Sequence, residues 1–276
     1  MQNFLTSYYK ERINIKKLEK FKFVLLECNI CKTIFQEQIP DSNFSFELYE
    51  EIIDKDESLA KKENFEKKNI IKLDYEIGLI KGLFKKNNEE IKIMEFGAGW
   101  GFWLNCLKKN NFNVSAFEIS KSRIDFMKNK EINVISDLLS VKENFDFIFS
   151  EQTFEHISNP RDTLFNLSKI LKYDGYIFLR FPSSFLFNLK LNKNYKPKND
   201  CVHPLEHINL FRKESFEAMT SNSNLQIINF RSRYNFSIIN ALKDIKNFFY
   251  FDSILIKKQT NNYEKKVISF LPLMSL

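Results

Sequence analysis

The sequence predicts an α/β fold whose sheet carries a ligand cradle, and three observations lead there. Residues 91–96 form an apolar run, broken only by lysine and an acidic residue near its end, that reads as a buried strand. Gly97, Gly99 and Gly101 follow at every second position, and the stretch from Trp100 to Lys109 looks helical. Further short apolar runs, with a helical stretch among them, continue to Phe181, as expected of a sheet layered with helices. The chain has only 6 Gly in 276 residues, so three in one pentapeptide are unlike compositional drift.

The elements follow in order. In the first, a strand, a glycine turn and a helix form a cradle, because glycine tolerates positive φ and leaves no Cβ in the way of a ligand. The helix N-terminus adds unpaired N–H donors. The dinucleotide fingerprint G-x-G-x-x-G is absent, since Phe102 stands where its third glycine would be. Glu95, just before the turn, would repel a pyrophosphate and attract an ammonium group. A ligand with an amino-acid portion is therefore favoured over a dinucleotide, with a bare turn as the plain alternative. Residues 113–119 (NVSAFEI) read as a second strand that brings in Glu118, about 20 residues past the glycines, where a carboxylate can accept ribose hydroxyls. Residues 132–135 make a short third strand leading to Ser136 and Asp137, and residues 145–150 a fourth leading to Glu151, Gln152, Glu155 and His156. A helix over 161–172 ends at the stop Tyr173-Asp174-Gly175, and residues 176–181 form a fifth strand closed by Pro182. A helix over 212–222 and strands at 225–231 and 251–258 complete the reading.

Taken together, MEFGAGWG, the acidic end of the second strand, Ser136-Asp137, SEQTFEHI and LKYDGYIFLRFPSS resemble the class I S-adenosylmethionine-dependent methyltransferases. The resemblance covers residues 91–181 and extends more loosely to 258. It implies a Rossmann-like seven-stranded sheet with an antiparallel last strand and helices on both faces. It also implies S-adenosylmethionine as cofactor. Glu95, Gly97, Ala98, Gly99 and Gly101 would shape the methionine end of the pocket, and Glu118 would hold the ribose. Ile119 would wall the adenine and Asp137 would accept from its amino group. Ser150, Glu151 and Gln152 would line the sulfonium and the floor of the acceptor pocket. For each of these the plain alternative is a strand-end cap or a solvated turn.

Methyl transfer leaves a neutral thioether that needs no proton, so the protein's task is to hold the acceptor in line. An oxygen acceptor must also lose a proton, which a base with a pKa near the working pH assists. The chain has three histidines, His156, His203 and His207. The stretch EHINLF around His207 resembles a segment of methyltransferases acting on bacterial surface sugars. In related O-methyltransferases, E-x-x-E-H after the fourth strand and this later histidine can hold a divalent metal. Here Gln152 replaces the first carboxylate, leaving Glu155, His156 and His207 as candidate catalytic residues. Base or positioning group, metal ligand, and plain loop hydrogen bonding all stay open for them.

Composition limits the partners. The length suits one domain plus an appendage, and 43% hydrophobic residues suffice for a substantial core. The net charge of +7 comes from scattered lysines without a basic arm, which favours a solvated surface over a nucleic-acid footprint. A modest positive field would also suit a phosphate-bearing acceptor such as a nucleotide-linked sugar. The first 20 residues lack the apolar core of a secretory signal and no apolar run has membrane-spanning length, so the reading is a cytoplasmic enzyme with reduced cysteines. The apolar tail 267–276 reads as a docking or homodimer-contact segment. Cys28 and Cys31 have C-x-x-C spacing but only half of a four-ligand zinc set, and resemble the second half of a zinc ribbon. The organisation expected is a hairpin and helical lid segment over 1–70, a methyltransferase domain over 71–258 and a tail over 259–276. The leading function is O-methylation of a small molecule such as a sugar of a capsule or lipopolysaccharide pathway. N-, C- or RNA methylation, or a non-catalytic scaffold subunit, are the alternatives.

Overall fold

The computed structural model describes residues 1–10, 12–62, 65–142, 144–192, 194–221, 223–228 and 251–259. The N-terminal part runs α1 (Gln2–Tyr8), β1 (Leu25–Glu27), β2 (Ile34–Gln36), α2 (Ser42–Glu47), a π-helical turn (Leu48–Ile52), α3 (Lys55–Ala60), α4 (Phe65–Lys68) and α5 (Ile70–Leu83). The remainder runs β3 (Lys92–Phe96), α6 (Phe102–Lys109), β4 (Asn113–Phe117), α7 (Lys121–Lys128), β5 (Asn133–Ile135), β6 (Phe145–Glu151), α8 (Pro160–Ile170), β7 (Leu171–Pro182), α9 (Phe185–Lys190), β8 (Asn209–Leu210), α10 (Lys213–Thr220), β9 (Leu225–Ile228) and β10 (Phe251–Lys258).

Seven strands form one sheet in the order β5-β4-β3-β6-β7-β10-β9. The first five are parallel, and β10 lies antiparallel to both of its neighbours. Alternation along each strand sorts the side chains onto two faces. Ile93, Phe147, Phe149 and Phe178 join Ile80 of α5 and Leu104 of α6 in one apolar cluster. Met94, Ile148, Ile177 and Leu179 join Leu164 and Leu167 of α8 and Phe216 of α10 in another. Helices therefore cover both faces, as expected. The chain passes from β3 to β4 on one side and from β5 across to β6 on the other, and the crevice for ligands lies at the carboxyl ends of strands at such a reversal.

Several boundaries differ from expectation. The helix α8 stops at Ile170 and β7 begins at Leu171, five residues earlier than the apolar run suggested. Leu171 pairs with Phe145, the register then jumps, and pairing resumes at Tyr176 opposite Phe147. Residues 172–175 form a bulge in which Asp174 has φ +61°. Gly175 is needed there for close approach, because a Cβ would stand 2.9 Å from the carbonyl oxygens of Asp146 and Lys172. The glycine read as a helix stop is a sheet contact. Strand β4 ends at Phe117, which leaves Glu118 and Ile119 in the following loop, and β6 extends to Glu151. Residues 229–231 of the expected sixth strand and the tail 267–276 lie outside the described residues.

The hairpin β1–β2 forms with Cys28 and Cys31 in its turn, both as free thiols. Its second strand pairs with β8, so the N-terminal segment and the connection carrying His207 share a three-stranded antiparallel sheet. Buried Gln36 strengthens that link by donating to the carbonyls of His203 (2.7 Å) and His207 (2.9 Å). Among the described residues no helix is long and apolar enough to cross a membrane.

Candidate active site

A cleft of about 650 Å³ opens over the glycine turn at the carboxyl end of β3. The turn is tied to the neighbouring strand by two N–H donors, from Gly97 and Ala98, that share the Phe117 carbonyl. All three of its glycines have positive φ. At Gly99 a Cβ would meet nothing within 4 Å, so its open side faces the cleft, whereas at Gly101 it would stand 2.7 Å from Met127. Gly99 leaves room for a ligand and Gly101 lets α6 close on α7.

Glu95 sits beneath the turn, 7% exposed, and its Oε2 has no hydrogen-bond partner among the described residues. Burial raises its carboxyl well above the ordinary range, and the charge of Glu151 adds to the effect. Glu151 behaves oppositely. Burial would raise it too, but Lys72 at 2.6 Å and Arg180 at 3.1 Å hold it at about 2. Arg180 also meets Glu76 at 2.6 Å, and Glu76 accepts from the Trp103 indole at 2.7 Å. This chain of charges underlies the cleft and fixes its floor.

Glu118 is fastened by backbone. Its Oε2 accepts from Gly99 N at 2.8 Å, and Oε1 accepts from the N–H groups of Ile119 and Ser120 at 2.9 and 3.0 Å. The guanidinium of Arg123, which lines the cleft, lies 3.9 Å away. Ile119 is 71% exposed. Asp137 is exposed and caps a short 3-10 turn by accepting from Leu139 N at 2.9 Å; it does not line the cleft. Gln152 lines the cleft in a left-handed conformation, φ +53°, and its Nε2 is buried without a partner among the described residues. Ser150 is fully buried in β6, its Oγ likewise without one, and stays off the cleft wall.

Beyond Gln152 the three histidines come together. The rings of His156 and His207 are 4.8 Å apart and those of His207 and His203 are 4.4 Å apart. Glu155 is fully buried, and neither of its carboxylate oxygens has a partner among the described residues. Burial, with the charge of Glu151, pushes it up to about 8. Burial lowers the imidazoles as well, His207 to about 4 and His203 to about 3. His156 falls well below its ordinary value through burial and the two neighbouring imidazoles. His207 Nδ1 lies 3.1 Å from the Cys201 carbonyl oxygen. That oxygen can only accept, so the proton sits on Nδ1 and the lone pair on Nε2. Ligating atoms of Glu155, His156 and His207 lie within 4.8 Å of one another, the only such group of three found among the described residues.

Lys72, Glu76, Arg123, Arg180 and, from the N-terminal segment, Tyr49 and Ser58 join this region without having been singled out in the sequence. Signals existed for some. Arg180 is the one charge in the apolar stretch 176–182 of β7, which burial makes costly without a partner. Lys72 and Glu76 are four apart on α5 and so share a helix face. The contacts made by the N-terminal segment have no local signal. Ser58 accepts from the Trp100 indole at 3.1 Å, and the Tyr49 hydroxyl lies 2.9 Å from His156 Nδ1.

Comparison with known proteins identifies the family. A family model described as a methyltransferase domain matches residues 73–229. The chain is 24% identical over 175 residues to a ubiquinone biosynthesis O-methyltransferase of Rickettsia bellii, covering 58% of this chain and 71% of that protein. It is 28% identical over 138 residues to a malonyl-[acyl-carrier protein] O-methyltransferase of Priestia megaterium, covering 46% and 47%. Among solved structures, the plantazolicin methyltransferase BpumL in complex with SAH superposes with a TM-score of 0.52 at 16% identity, covering 78% of this chain and 94% of that one. A match across more than half of the chain, on a sheet of this strand order, makes the protein a member of the class I S-adenosylmethionine-dependent methyltransferases.

Proposed function

We propose that the enzyme methylates a hydroxyl of a small molecule, such as a nucleotide-linked sugar or a sugar of a surface polysaccharide. The observation that carries this reading is the Glu155–His156–His207 cluster, which lies behind the cleft lining and follows its residue Gln152 closely in sequence. It joins a carboxyl with both oxygens unpartnered, among the described residues, to two imidazoles that burial keeps neutral. A neutral amine can attack through its lone pair and lose its proton afterwards, whereas a hydroxyl is a poor nucleophile until its proton is withdrawn. The names of the similar curated proteins, both O-methyltransferases, support the same atom.

The cleft suits the cofactor. Glu95 Oε2 is a buried acceptor awaiting a donor, which the ammonium of the methionine portion would supply, and Lys62 and Lys68 on the facing wall complement its carboxylate. Glu118, held by three backbone N–H groups, keeps about one acceptor position, on Oε2, for a ribose hydroxyl. Exposed Ile119 would cover one adenine face, and Asp137 would use the oxygen not engaged by Leu139. When bound, S-adenosylmethionine supplies a methyl group on a cationic sulfur whose departure leaves a neutral thioether. The protein orients the acceptor, and His207 Nε2, the nitrogen left with a lone pair by the Cys201 carbonyl, is set to accept the hydrogen bond of its hydroxyl.

The same donor set, one carboxylate and two imidazoles, also fits a divalent cation of borderline character, which would lower the pKa of the acceptor hydroxyl. Gln152 in place of a carboxylate removes one charged ligand from that alternative. Two measurements test the reading. His156→Ala and His207→Ala should each lower turnover about 100-fold or more while leaving the affinity for S-adenosylhomocysteine unchanged. Glu118→Ala should do the reverse. Turnover would be followed by screening nucleotide-sugar pools with methyl-labelled cofactor. Wild-type rates in both histidine variants would sink the cluster's role, and a labelled product carrying no sugar would sink the acceptor class.

A further inference from the structure

We propose that Tyr49 is a positioning residue whose hydroxyl fixes the ring orientation of His156 in the acceptor cluster. The proposal rests on the reading of His156 given above. The Tyr49 hydroxyl lies 2.9 Å from His156 Nδ1, and the two rings stand edge-on at 6.0 Å and 80°. Its backbone is uncommon. Tyr49 belongs to the π-helical turn Leu48–Ile52, a geometry that inserts one residue into a helix and is concentrated at functional sites. Leu48 and Ile52 flank it, 0% and 3% exposed, in an apolar cluster with Leu5 and Leu205. The turn is thereby anchored on both sides, and Tyr49, itself packed against that cluster, reaches the histidine with its hydroxyl.

An imidazole can flip its ring and shift its proton, and each change moves the atom it offers to a ligand. A partner at Nδ1 removes that freedom. With Nδ1 engaged by Tyr49, the other nitrogen faces Glu155, with Nε2 4.0 Å from Oε1. His207 receives the equivalent constraint from the Cys201 carbonyl, so both histidines of the cluster are oriented from outside it. The two devices differ in origin. One comes from the connection that carries His207, and the other from a segment 107 residues away in sequence. The same segment touches the glycine turn through Ser58 and Trp100, at 3.1 Å. Donor turn and acceptor cluster thus share one N-terminal support.

The chain has three histidines, so ring-15N-labelled histidine gives three side-chain signal sets that single substitutions can assign. Tyr49→Phe keeps the ring and its edge contact and removes one oxygen. The expected result is a changed Nδ1 signal for His156 with those of His203 and His207 in place. Tm and the affinity for S-adenosylhomocysteine should match wild type, and kcat in the labelled nucleotide-sugar screen should fall about ten-fold, as one lost orienting bond implies. An unmoved His156 signal overturns the proposal. A lowered Tm with all three signals displaced does so too, because it marks a packing role. Wild-type turnover in Tyr49→Phe beside an inactive His156→Gln overturns the positioning role alone. Wild-type turnover in both variants overturns the catalytic reading of His156 itself.

Discussion

Glu95 and the glycines beside it show how single residues divide the labour of this site. The Glu95 carboxylate is buried with one oxygen unpartnered among the described residues, a state that costs free energy until a donor arrives. Glu95→Ala should therefore leave the fold intact and weaken S-adenosylhomocysteine binding by about 1.5–3 kcal/mol, the value of a hydrogen bond to a charged group. Calorimetric titration reads this directly, and unchanged affinity would remove Glu95 from the site. The glycines separate in the same way. Gly99→Ala adds only the strain of a left-handed alanine, about 1–2 kcal/mol, because its Cβ meets no atom, and should mainly impair cofactor binding. Gly101→Ala adds the same strain plus overpacking against Met127, about 1–3 kcal/mol more. Chemical denaturation should rank Gly101→Ala as clearly the less stable variant, and equal stabilities would contradict the assigned roles.

At the scale of elements, buried Asp146 joins three pieces of chain at the end of the sheet opposite the cleft. Its carboxylate receives Lys86 and Lys172 at 2.7 Å each and the backbone N–H of Lys92, the first residue of β3, at 2.9 Å. Burial alone would raise its carboxyl, but the bonds from Lys172 and Lys86 outweigh burial and hold it below the usual aspartate range. A group lowered on folding binds its proton less readily in the native state than in the unfolded chain. Its contribution is therefore complete above the unfolded value of about 3.9 and is lost as pH falls through the lower, native one. Acid titration of stability should show that loss in wild type and a flatter profile in Asp146→Asn. Parallel profiles would deny Asp146 this role. The bulge at residues 172–175 belongs to the same region, since it carries Lys172 and rests Gly175 against the Asp146 carbonyl.

At the scale of the whole molecule, the family match begins at residue 73, yet the site does not. Tyr49, Ser58, Lys62, Lys68 and Lys72 all come from the segment before it, and β2 pairs with the connection that carries His207. The N-terminal part is thus built into the site rather than set beside it. Cofactor binding should be visible as global stabilisation. At about 100 times its dissociation constant, S-adenosylhomocysteine should add about 2.7 kcal/mol. For a chain of this size that is roughly a 5–10 °C rise in Tm. No rise at saturating ligand would contradict a working cofactor site.

Much of this was legible because it is local. Apolar runs mark strands whatever lies around them, and the glycine turn with Glu95 before it and Glu118 after it describes a donor site within a short stretch of chain. The antiparallel last strand followed from resemblance, not from periodicity, and the order of the strands came only with the structure. Periodicity failed at residues 172–175, where a bulge keeps a strand going through residues that locally read as a stop. The sequence placed Asp137 just past the third strand, and only the structure shows that one of its oxygens caps the turn at Leu139. What the sequence by itself determined was the methyl-donor cradle and the two-faced sheet that presents it. What only the tertiary structure decided was which distant groups meet there. Glu76 reaches Arg180 across 104 residues, Tyr49 reaches His156 across 107, and Gln36 reaches the His207 carbonyl across 171. Such meetings are set by strand order and by burial, which make buried charges and imidazoles find partners wherever the packed chain supplies them.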